Sequence, residues 1–247
     1  MKLWKLKGIK LVRNRSLCYN SIEVISVKLL INALVKYLAG LSMIMLLLFP
    51  AAGGFGYING WLFIALLFIP MLGLGIVLFL KAPELLEKRL NNREKENTQK
   101  TVVLLALLVF VGAFVFAGLD YRFGWTSVPD ALVAIASVTL LLSYGLYAEV
   151  MRENAYLSRT VEVQQGQKVV DTGLYGIVRH PMYAVTILLF LSMPLVLGSW
   201  ISFGILLLYP VVIVLRIVNE ERVLEEGLEG YREYKQRVKY RLLPGIW

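Results

Sequence analysis

The sequence predicts an all-α integral membrane protein with about six transmembrane helices, and three observations carry that reading. Of 247 residues, 58% are hydrophobic and 17% charged, against roughly 25% charged in an ordinary soluble domain, and the mean hydropathy is +0.67. The apolar residues gather in runs, several of them close to the ~20 residues a helix needs to cross a hydrocarbon core of ~30 Å. The basic residues gather between alternate runs. Such a chain is too apolar for a disordered segment or a soluble domain. One cysteine excludes a disulfide framework, and one histidine beside it leaves too few soft ligands for a structural zinc site. No metal is expected.

The runs cover residues 29–49, 58–80, 101–119, 131–148, 184–198 and 201–215. Lys36 stands near the entry of the first, where its ammonium can snorkel to the interface. The second is uncharged and contains Pro70, a kink site. The last two are short, and only Ser199 and Trp200 separate them, which predicts a tight helical hairpin with Pro194 and Pro210 interrupting its arms. Ala51-Ala52-Gly53 after the first run resembles a signal-peptide exit. The run exceeds the usual ~7–15 residues and further runs follow, so a retained span is the better expectation.

Orientation follows from the loops. Lys81, Lys88, Arg89, Arg93, Lys95 and Lys100 follow the second run, and Arg152, Arg159, Lys168 and Arg179 follow the fourth. Arg222, Arg232, Lys235, Arg237, Lys239 and Arg241 follow the sixth, whereas the opposite loops hold only Arg122. The positive-inside rule then places both termini in the cytoplasm. Residues 1–36 carry a net +7 of the chain's +9. Their excess makes residues 1–28 a basic arm, interfacial or disordered. It suits an anionic leaflet better than nucleic acid, because a span follows directly. Trp4, Leu6, Ile9 and Leu11 could lie at that interface. Residues 29–130 form the N-terminal helices. No internal repeat or second domain is evident.

Polar residues concentrate in two cytoplasmic stretches, 164–183 and 216–234. His180, the single histidine, stands between Arg179 and Pro181; proline there marks a helix entry and holds the imidazole at the membrane surface. It is either a local cap or a functional group. Arg216 lies one turn before Glu220, within i, i+4 reach, and Glu220 and Glu221 follow the sixth run almost at once. Charges there need pairing, snorkelling or a function. Glycine-rich nucleotide loops, the H-E-x-x-H motif and the G-x-S-x-G elbow are all absent.

The order G-L-Y-x-x-V-R-H-P-x-Y (173–183), then Arg216 with Glu220-Glu221, then Gly227, Tyr231 and Tyr234, resembles the isoprenylcysteine carboxyl methyltransferases. These share their C-terminal core with phospholipid N-methyltransferases. The resemblance covers residues 131–247, a methyltransferase core, and implies S-adenosyl-L-methionine (SAM) in a cytoplasmic pocket capped by the C-terminal segment. It implies cofactor binding by Gln164, Gln167, Lys168, Val169, Val170, Tyr175, His180, Pro181, Met182, Tyr183, Glu220 and Glu221. It makes Arg216 the residue facing the substrate and Arg216 with His180 the catalytic pair. The expected partner is a lipid-tailed methyl acceptor entering from the bilayer. A prenyl acid leads, with a phospholipid amine or a non-enzymatic scaffold as the alternatives. One position departs from the pattern: two residues after Tyr183, where many members have glycine, stands Val185. A side chain there is expected to reshape the substrate mouth.

Overall fold

A computed structural model describes the backbone of residues 5–91 and 97–247 and the side chains of residues 27–91 and 99–247. The interfacial reading of Trp4, Leu6, Ile9 and Leu11 lies outside the described side chains. All regular structure among the described residues is helical: α1 (Lys5–Ala52), α2 (Ile58–Lys81), α3 (Pro83–Leu90), α4 (Asn97–Phe123), α5 (Asp130–Glu153), a 3-10 turn (Gly173–Gly176), α6 (Pro181–Val196), α7 (Trp200–Leu206), α8 (Leu208–Gly227) and α9 (Tyr231–Arg237).

Five stretches are long and apolar enough to cross a membrane: Val27–Ala52, α2, Gln99–Phe123, α5 and Trp200–Gly227. The expected fifth span is α6, with 16 residues. At ~1.5 Å per residue it reaches about 24 Å, short of a ~30 Å core. The sixth is longer than expected and broken. The chain leaves regular helix at Leu207 and then continues to Gly227. Pro210 explains the break, because its ring collides with the carbonyl four residues earlier, that of Leu206. The hairpin itself is present: Gly198, at φ 81°, turns the chain, and the Ser199 hydroxyl accepts from the Ser202 N–H to cap α7.

Phe49, Phe63, Phe114, Leu140, Leu189 and Val196 meet in the main core, which joins α1, α2, α4, α5 and α6. Large apolar side chains also point outward, with Leu80 72%, Leu46 71% and Leu142 64% exposed. In water such surfaces would aggregate; here they suit contact with lipid, and the protein is an integral membrane protein. At the end opposite the basic loops, the buried Asp120 carboxylate accepts from the Thr126 N–H at 2.7 Å and from the Thr126 and Ser199 hydroxyls. That knot ties the hairpin to α4.

Gly118 fixes the α1–α4 crossing. A Cβ there would come within 2.6 Å of the Leu48 carbonyl and 2.8 Å of Ala51 Cβ. Gly118→Ala should destabilise by about 1–3 kcal/mol through overpacking. The expected reading is a lower melting temperature in detergent; an unchanged one would mean that the two helices can part without penalty.

Candidate functional site

The stretch after α5 has no helical periodicity, and it wraps back over the ends of α6 and α8. It starts at the C-terminus of α5, where the Glu153 carboxylate accepts from the Leu174 N–H at 2.9 Å. Gly173 makes that approach possible. Its φ is +53°, and a Cβ on it would sit 1.5 Å from a Glu153 oxygen, so any other residue would strain the backbone and push the carboxylate off the Leu174 N–H. The following turn buries Tyr175, and α6 opens at Pro181 with His180 as its N-cap residue, as the His-Pro pair predicts.

One cavity lies between this stretch, α6, α8 and α9. Gln167, Lys168, Val169, Val170, Tyr175, His180, Met182, Tyr183, Arg216 and Glu220 line it, so most residues singled out in the sequence meet at one place. Gln164, Pro181 and Glu221 are not among the lining residues. The Gln164 amide instead donates to the Tyr156 carbonyl at 2.6 Å, and Pro181 is buried at the helix start. Val185 is not itself a lining residue; it packs behind the wall, in one cluster with Tyr175, Val170 and Met182, which do line the cavity.

Two polar networks frame the cavity. On its wall, Arg216 Nε donates to the Tyr183 hydroxyl at 2.8 Å, and that hydroxyl donates to Glu220. The second Arg216 nitrogen donates to the Arg159 carbonyl at 2.6 Å. Tyr183 thus bridges the arginine and carboxylate that i, i+4 spacing places on one helix face. Behind the cavity, Glu221 is 3% exposed. Its carboxylate accepts from Arg179 Nε at 2.7 Å and Arg241 Nε at 3.0 Å, with His180 Nε2 at 3.3 Å. The other arm of Arg179 donates to the carbonyls of Val238 and Lys239, both at 2.7 Å. The Arg179 and His180 N–H groups donate to the carbonyls of Tyr240 and Arg241. The C-terminal segment is therefore strapped across the motif.

Sequence reasoning missed Arg179, which carries the strap, and the wall formed by Asn154, Tyr156, Ser158, Thr160 and Glu162. Arg179 stands inside the recognised motif, so that signal was present; the loop wall carries none. Arg89 of α3 reaches the same wall, donating to the Ser158 carbonyl at 3.1 Å and approaching Met182 Sδ at 3.5 Å. Partial desolvation, then the nearby charges of Arg89 and Arg216, press the Arg159 guanidinium below its ordinary value. The cationic groups of Arg89, Arg159 and Arg216 thus gather on one side of the cavity.

Residues 131–229 match the family model described as phospholipid methyltransferase. Over these residues the chain is similar to that membrane methyltransferase family. The matched stretch includes α6 to α8, nearly all of α5 and both glutamates, so the network on the cavity wall lies within it, whereas Arg241 and the strap carbonyls of Val238 and Lys239 lie beyond it. The match ends two residues before α9, and Tyr231 and Tyr234, which complete the cavity, lie beyond it.

Proposed function

We propose that the protein transfers a methyl group from SAM to a lipid-tailed acceptor at this cavity. The observation that carries the reading is the joining of His180, Tyr183, Arg216 and Glu220 around one cavity, although about forty positions of chain separate the two motifs. The residues fit SAM chemically. Glu220 offers a carboxylate to a sulfonium cation, Gln167 and Lys168 offer polar atoms to an amino-acid tail, and Val169, Leu224 and Leu228 offer apolar surface to a base. SAM, when bound, supplies an electrophilic methyl group.

The chain's own part is positioning and the exclusion of water. Arg216, held between the Tyr183 hydroxyl and the Arg159 carbonyl, faces the anionic group of the acceptor. Glu220, held by Tyr183, keeps negative charge on the cofactor side. His180 is fixed by Glu221 through Nε2. An imidazole donating there keeps its second nitrogen as an acceptor. The leading acceptor is a carboxylate on a prenyl tail, such as an isoprenylated cysteine, which is already ionised and needs no base. The family match favours a second reading, a phospholipid amine; then His180 takes the proton and Arg216 faces the phosphate. Basic loops at the cavity end support a cytoplasmic site with both termini on that side.

Labelled methyl transfer into membranes separates the two acceptors. A carboxylate acceptor should yield label released as methanol by mild base, at a rate nearly flat from about pH 7.5 to 6. Base-stable label and a rate falling steeply over that interval would give the reaction to nitrogen. No transfer into any lipid or peptide fraction would overturn both.

A further inference from the structure

Tyr231 lines the cavity and is only 4% exposed, yet its hydroxyl has no hydrogen-bond partner among the described residues. Its neighbour Tyr234 is satisfied, donating to the Tyr175 carbonyl at 2.8 Å. A buried donor left unpaired costs stability, and proteins seldom keep one without a reason. The phenol is a donor at all ordinary pH, because burial and then the charges of Glu221 and Glu220 push its pKa up.

The surroundings say what it could donate to. Leu228, Tyr231, Tyr234 and Val238 form one cluster with Val163, Val169 and Leu224. Apart from Glu220, whose charge reaches Tyr231, the wall beside α9 is therefore apolar and aromatic, while Arg216 and Tyr183 carry the polar wall that Glu220 joins. A ligand for the α9 end has apolar faces and an acceptor on its edge. We propose that this end is a base-binding subsite in which the Tyr231 hydroxyl donates to a ring nitrogen of adenine, with Val169, Leu224 and Leu228 against the ring. The proposal rests on the SAM reading and deepens it. Adenosine lies toward α9, and the transferable methyl group lies toward Arg216. The base is then gripped partly by residues beyond the matched domain.

Tyr231→Phe tests it in the purified full-length protein, with two probes measured by calorimetric titration. S-adenosylhomocysteine carries base and amino-acid tail; 5′-methylthioadenosine carries the base without the tail. Y231F should weaken both by the same factor, about five- to twentyfold, and the unliganded variant should melt no lower than wild type. Wild-type affinity in the variant overturns the proposal. So does a loss confined to the homocysteine compound, a lower melting temperature without ligand, or a wild type that binds S-adenosylhomocysteine but not methylthioadenosine. A wild type that binds neither probe overturns the SAM reading and this subsite with it.

Discussion

Glu221→Gln should cost about 3–5 kcal/mol of stability, the usual price of removing one partner from a buried ion pair, and should release the C-terminal segment. Glutamine keeps the shape of the side chain and can still accept a hydrogen bond, so the loss isolates the charge. That charge faces Arg179, whose side chain is 3% exposed, and Arg241, with Lys235 3.6 Å away. Without it, Arg179 is a buried cation whose other contacts are carbonyl oxygens of the strap it holds. Desolvation then works against the bonds that keep residues 238–241 on the motif. The variant should melt well below wild type in the same detergent. Trypsin should cut at Arg237, Lys239 or Arg241 faster than in wild type. A variant that melts within about 1 kcal/mol of wild type and keeps its resistance would show that the strap holds without the carboxylate. Glu221→Ala should fare worse, since it adds a void to the uncompensated charge.

The same glutamate shows where a sequence stops being informative. Neighbours on a helix point about 100° apart, so Glu220 and Glu221 cannot both face one cavity. Their order does not say which one does; the strap from α9 decides it. Features written in local chemistry were legible. Pro181 opens α6 because its missing N–H is harmless there, the apolar runs became the spans, and the motif residues met. One span boundary was not legible. α8 runs on past residue 215 to Gly227, since its last turns are charged and pack against α9 instead of lipid. The loop wall at residues 154–162 was invisible because its polar residues have no period and take their positions from α3 and α6.

Arg216→Lys should reduce kcat/KM for methyl transfer into a membrane lipid extract by about a hundredfold while S-adenosylhomocysteine binds within about twofold of wild type. Lysine keeps the charge but not the planar fork. Arg216 spends one fork nitrogen on Tyr183 and another on the Arg159 carbonyl, so its orientation is set from both sides. A lysine ammonium can meet one of these partners at a time and is free to swing. A displacement of about 1 Å at a transfer site can cost about 10²-fold in rate, and the cofactor side, held by Glu220 and Tyr183, should feel little of it. The split between rate and binding separates a residue that aims the acceptor from one that merely supports the cavity. If binding falls as far as rate, Arg216 belongs to the cofactor grip. If neither falls, the polar end of the cavity is not where the acceptor sits, because no other described arginine both lines that cavity and bonds to the Tyr183–Glu220 pair.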